Sequence, residues 1–202
     1  MNHSQLKLQQ FKDKFLSTQK ILCTGNPTRK YSIASGICKI FSDANFISES
    51  TGYDLRLETD NSKELFRDKI KHYNILINSS YIEHGAQLKI LNFTKECWKY
   101  GHIINIGSSS EYMLNDTKNT NIENDEFKKQ YSTEKLKLRN RSIELDDYRI
   151  KTTHIILSGL VSDHPANVDF LKTTELAELI KWIIDSPYNI PIIGFGKDKT
   201  PY

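Results

Sequence analysis

Short apolar runs alternate along this chain with segments of helical periodicity, and that alternation restricts the fold more than any other feature. Residues 74–78 (NILIN) and 102–106 (HIINI) are almost continuously apolar, the pattern of strands covered on both faces. Residues 21–24 (ILCT), 45–50 (NFISES) and 152–157 (TTHIIL) read as further strands, 53–57 as a short strand or edge, and 190–195 as the last strand. Helical spacing marks 33–42, 62–72, 86–100 (closed by Gly101), 126–146 and 174–184, while the Asn-rich stretch 111–125 reads as a mobile polar loop. Strand–helix alternation of this kind predicts an α/β fold, a doubly wound, mostly parallel sheet with right-handed crossovers and helices on both faces. Residues 20–202 would form that single domain, and residues 1–19, with Leu8, Phe11 and Phe15 at helical spacing, a helical arm docked on it.

Composition narrows the function classes. A chain of 202 residues is long enough for one substantial core. The net charge of +3 is small and the basic residues are dispersed among acids, which argues against nucleic acid. No apolar stretch approaches the roughly 20 residues that cross a bilayer, and the N-terminus lacks an apolar signal core. Cys23, Cys38 and Cys97 make no C-x-x-C pair, so a reduced, cytoplasmic setting is expected. The six histidines lack ligand spacing, and no metal is expected.

In parallel sheets ligands bind at the carboxyl ends of the strands. The residues at those ends here are Thr24-Gly25, Glu49-Ser50, Asn78-Ser79, Ser108-Ser109 and Ser158-Gly159, all small or polar, so one rim is polar. Within Lys20–Ile40 the first strand runs through a glycine turn into a helix that starts with Ser32, Ile33, Ala34, Ser35 and Gly36. Small residues let the backbone approach an anion, and the helix N-terminus offers N–H groups to a dinucleotide pyrophosphate. The long spacing from Gly25 to Gly36 leaves an ordinary strand–loop–helix as the alternative. Tyr131 and Lys135 form a Y-x-x-x-K on one face of a helix, following the serine cluster. An ammonium so placed favours the phenolate, and a tuned tyrosine can exchange a proton with a carbonyl or alcohol oxygen.

Taken in order, TG...SIASGI, NILINSSY, HIINIGSSS, YSTEK and IILSGLVS resemble the motifs of the short-chain dehydrogenase/reductase family, over about residues 20–162. The resemblance implies a Rossmann-like fold with an NAD or NADP cofactor. It implies Tyr131 as acid/base, Lys135 as the residue that holds the nicotinamide ribose and lowers the tyrosine pKa, and Ser108, with Ser109 close behind, as the substrate-orienting serine. Thr24, Gly25, Ser32, Ile33 and Gly36 would line the pyrophosphate, and Asp54-Leu55 would contact the adenine. Asn78, followed by Ser79, would pack against the cofactor, and Val161, beyond Ser158 and Gly159, would meet the carboxamide. Glu49 favours NAD, whereas Arg29 and Lys30, with Ser50 nearby, favour NADP, to which the balance leans. The chain also departs from the pattern. The helix between the second and third strands is nearly absent, Ser79-Ser80 replace Asn-Ala, Ser158 replaces proline, and the family's fourth active-site residue, an asparagine, has no counterpart, Asn92 lying too near Ser108. The resemblance therefore implies an oxidoreductase acting on a small carbonyl or alcohol, a homodimer or homotetramer associating through 86–100 and 126–146. The alternative is an NAD(P)-binding regulator or scaffold of the same fold that does not turn over.

Overall fold

The structure is a computed structural model and describes residues 19–115, 126–147, 149–160 and 170–196. The expected N-terminal arm lies almost entirely outside the described residues, as do Val161 and residues 116–125 of the expected loop. Among the described residues six parallel strands are present: β1 (Ile21–Thr24), β2 (Asn45–Ile47), β3 (Ile75–Asn78), β4 (Gly101–Ile106), β5 (Ile150–Leu157) and β6 (Ile192–Phe195). They lie in the order β2-β1-β3-β4-β5-β6. The connecting helices are α1 (Ile33–Ile40), α2 (Asp60–Ile70), α3 (Ala86–Cys97), α4 (Glu126–Leu145) and α5 (Thr173–Asp185). This is the doubly wound α/β fold the alternation predicts.

The two-residue period of each strand divides the core. Ile21, Cys23, Ile75, Ile77, Ile104 and Ile155 face α1 and α5, where Ile37, Leu176 and Ile180 close the layer. Leu22, Leu76 and Ile103 face the other way, against Phe66, Ile70, Ile90, Leu91 and Leu138 of α2, α3 and α4. Burial on both faces is why these strands carry no polar alternation. Ser32 starts α1 as an N-cap, its side chain accepting from the Ser35 amide, and Thr59 and Ser62 start α2 as a reciprocal capping box.

Several boundaries differ from the sequence expectation. Residues 53–57 form no strand: the Asp54 carboxylate accepts from the Arg56 amide, and Leu57 has φ of 52°, so the chain turns here while Leu55 and Leu57 enter the core. The crossover from β2 to β3 consequently contains a full helix, α2, which corrects the expectation that this helix is nearly absent. β2 stops at Ile47, because Ser48 and Thr51 cap a 3₁₀ turn over Glu49–Thr51. α3 ends at Cys97, and Gly101 opens β4 with its backbone beneath the Trp98 ring, where a Cβ would come within 2.3 Å. Residues 109–115 are a 3₁₀ helix in which Glu111 is buried, not part of a polar loop.

Gly36 lets α1 and α5 touch. A Cβ on it would lie 2.2 Å from the Thr173 carbonyl oxygen, a clash with backbone that no rotamer relieves. Gly36→Ala is expected to destabilise the fold by about 1–3 kcal/mol, read as a lower urea midpoint with unchanged slope; an unaltered midpoint would contradict this packing.

Candidate active site

The strand order reverses around β1, so the connections that leave the carboxyl ends of β1 and β3 run to opposite sides and open a crevice, the ligand position in open α/β sheets. A cleft of about 1220 Å³ opens there, lined by Gly25, Asn26, Arg29, Ser32, Ile33 and Ala34 on one side. Glu49, Ser50 and Arg56 stand at the β2 end, and Ser79 through His84 on the far side. The long loop after Gly25 is internally braced. The Asn26 side-chain oxygen accepts from the Thr28 amide (2.9 Å) and hydroxyl (2.7 Å), and the Ser32 hydroxyl donates to the Asn26 carbonyl (2.8 Å). Gly25 has φ of 138°, and its Cα lies so near Ala34 that a Cβ would stand 3.1 Å from that methyl. A glycine turn, a capped helix start and a polar crevice fit a dinucleotide phosphate.

Not every expected cofactor residue reaches the cleft. Thr24 is fully buried and stitches β1 to β3: its Oγ accepts from the Ser79 (2.8 Å) and Ser80 (3.0 Å) amides, and the Ser79 hydroxyl donates to the Thr24 carbonyl. Asn78 is also fully buried, donating to the Gln87 carbonyl and Asn105 Oδ1, both at 2.8 Å. Gly36 faces α5, as described, and is not part of the cleft lining. Asp54 is ion-paired with Arg56 (3.8 Å), and Leu55, though on the cleft wall, is 1 % exposed. Glu49 pairs with Arg56 (3.3 Å), a residue with no sequence signal of its own. The Lys30 ammonium lies 4.7 Å over the Tyr31 ring. After β5, the Ser158 amide donates to the Phe195 carbonyl, Gly159 packs on the Phe170 ring, and Leu160 lines the cleft.

Tyr131 and Lys135 face inward from α4 and meet the end of β4. The Ser108 hydroxyl stands beside the Tyr131 phenol and favours its ionised form, and it accepts from Ser110 Oγ at 3.0 Å. The Lys135 ammonium donates to Gln87 Oε1 (2.6 Å) and to the Ile106 carbonyl (2.8 Å). Gln87, in the first turn of α3, is the partner the sequence did not reveal; Asn92 instead accepts from Arg141 (2.9 Å). Gln87 Nε2 donates back to the Asn78 carbonyl (2.8 Å), and Asn105 Nδ2 donates to Ser142 on α4 (2.9 Å).

Electrostatics corrects one expectation. Tyr131 is pushed above the usual phenol value, chiefly by burial, with the neighbouring Ser108 hydroxyl opposing the rise and Glu111 adding to it. Lys135 does not dominate because its own charge is disfavoured: burial lowers it to about 7, against the pull of Glu111 and Glu134. Glu111 Oε2 lies 3.1 Å from His154 Nε2 and Oε1 lies 3.5 Å from Arg139, all behind the tyrosine. The histidine inside an apolar strand was the only trace of this cluster in the sequence.

No protein-family model and no curated protein matches the chain. Solved structures do. The 3-alpha-hydroxysteroid dehydrogenase of Pseudomonas sp. B-0831, solved with NADH, is 12% identical with a TM-score of 0.58 over 87% of this chain and 94% of its own. A short-chain dehydrogenase of Burkholderia cenocepacia J2315, solved with NADP, is 10% identical, TM-score 0.62, covering 89% of each. The acetoin dehydrogenase YohF of Salmonella typhimurium is 13% identical, TM-score 0.63, covering 88% and 95%. The chain thus has the Rossmann-like fold of the short-chain dehydrogenases/reductases.

The depressed Lys135 pKa has a consequence for stability. Between about 7 and 10.5 the unfolded chain binds the proton that folded Lys135 has released, so stability from this group rises with pH across that window and is flat below it. Urea melts of the wild type and Lys135→Met should therefore diverge in the wild type's favour as pH rises from 7 to 10; parallel curves would contradict the assignment.

Proposed function

We propose that the protein is an NAD(P)-dependent oxidoreductase acting on a small carbonyl or alcohol. The observation that carries this reading is the meeting of Tyr131, Ser108 and Lys135 at the end of β4, one strand from the switch-point crevice. Similar structures solved with NADH and NADP support the cofactor class. When bound, the cofactor supplies or accepts a hydride. Gly25, Ser32, Ile33 and Ala34 would hold its pyrophosphate, and Lys135, whose third N–H is not used by Gln87 or Ile106, its nicotinamide ribose. Ser108 would hold the substrate oxygen. A phenol kept protonated by burial suits donation to a carbonyl oxygen as it becomes a hydroxyl, so carbonyl reduction is the favoured direction.

The nucleotide preference follows from charge. Arg56 neutralises Glu49 and lines the same cleft as Arg29, which offers cationic partners for a 2′-phosphate. NADPH should bind more tightly than NADH, and Arg56→Ala should weaken NADPH by about tenfold while sparing NADH, measured by nicotinamide fluorescence. Tyr131→Phe should retain NADPH binding and lose turnover by about 10²-fold or more across a panel of carbonyl substrates; undiminished turnover would sink the mechanism. A second reading, binding without turnover, is favoured by one feature, the 3 % exposure of Lys135. It predicts saturable NADPH binding and no product from any carbonyl, and one good substrate would dispose of it.

A further inference from the structure

Between the cleft and the Tyr131–Lys135 pair stands Tyr81. The motif NILINSSY puts this tyrosine where the resemblance has a glycine, so a large ring occupies a place otherwise empty of side chain. The Tyr81 ring meets Tyr131 edge-on (centroids 4.6 Å apart, 72°) and Phe127 edge-on (6.3 Å, 87°), while Phe127 and Tyr131 lie nearly parallel at 6.4 Å. Tyr81 and Phe127 line the cleft, and the Lys135 ammonium lies 5.5 Å from the Tyr81 ring and 5.3 Å from that of Tyr131. The lysine that would hold a ribose is thus covered by aromatic rings on the side not taken by Gln87 and Ile106.

The backbone around Tyr81 is built as a strap. At one end Ser79 and Ser80 are pinned to Thr24 through their amides. At the other, His84 (φ 66°) and Gly85 (φ 70°) are consecutive left-handed residues, and Gly85 caps α3 without a side-chain hydrogen bond. The residues between belong to no helix or strand. Tyr81 can therefore change its direction without disturbing β3 or α3.

We propose that Tyr81 controls admission of the nicotinamide: its ring, packed on Tyr131 and Phe127, closes the passage from the cleft to Lys135, and full dinucleotide binding requires it to swing away. This rests on the oxidoreductase reading and adds a residue to it. A binding-competent state that is a minor population weakens apparent affinity by its fraction, and the penalty falls only on a ligand that reaches past Tyr81. The adenosine half of the cofactor escapes it.

The test compares NADPH with 2′,5′-ADP and 5′-ADP, which lack the nicotinamide, by calorimetry on four proteins: wild type, Tyr81→Phe, Tyr81→Ala and Phe127→Ala. Tyr81→Ala should bind NADPH about tenfold more tightly than wild type, on the scale of two lost ring contacts. Its affinity for the adenosine fragments should be unchanged. Tyr81→Phe should match wild type. Phe127→Ala, which removes a ring that is 54 % exposed, should shift NADPH in the same direction and serves if Tyr81→Ala does not fold. Equal NADPH affinities across the set, or weaker binding in the alanine variants, would overturn the gate while leaving the cofactor reading intact. Failure of all four proteins to bind NADPH or either fragment would overturn both.

Discussion

Among the described residues no carboxylate touches the buried Lys135 nitrogen directly, and the arrangement of this end of the molecule follows from the need to satisfy it. Its two protein acceptors are the Gln87 amide oxygen and the Ile106 carbonyl. Gln87 is held in turn by the Asn78 carbonyl, and Asn78 by Asn105, which reaches Ser142 on the same helix as Lys135. Leaving a polar group unpaired in the interior costs more than a paired one contributes. The chain of amides therefore fixes the register of α3 and α4 against β3 and β4. A slip of either helix would leave the lysine or an asparagine without a partner.

The same low-dielectric setting tunes the chemistry. Burial holds Tyr131 in its protonated form and makes the lysine charge conditional. Glu111, braced by Arg139 and His154, supplies the negative charge that opposes the effect of desolvation on Lys135 and adds to that on Tyr131. A tyrosine and lysine four apart on a solvent-exposed helix would show none of this. The motif acquires its properties from the layer of side chains beneath it.

The cleft arises from a different cause. It is a property of strand order, since the crossover from β1 to β2 and the crossover from β3 to β4 leave in opposite directions. What bridges it is Thr24, whose hydroxyl and carbonyl tie the loop after β3 to the end of β1. The residues free to meet a ligand are then the ones just beyond these anchors. Gly25 and Ser32 lie on one side, and the strap that carries Tyr81 on the other.

Apolar runs and their spacing were enough to specify the strands, the helices and the doubly wound sheet, because burial on two faces leaves a signature in composition. They also indicated the polar rim, since strand ends are positions in a linear order. Residues 53–57 misled because alternating leucines resemble a strand, whereas a single side-chain turn at Asp54 and a positive φ at Leu57 decide otherwise. Which rim residues face a ligand was not legible. Thr24, Asn78 and Gly36 are polar or small for reasons of sheet stitching, amide bonding and helix contact, and those reasons exist only between segments distant in sequence. Gln87, Arg56 and the Glu111–His154 pair likewise gained their roles from approach across the fold. Sequence determined the elements, whose causes are local; tertiary structure decided the site, whose hydrogen bonds and charges act over a few ångströms between residues that belong to different elements and loops.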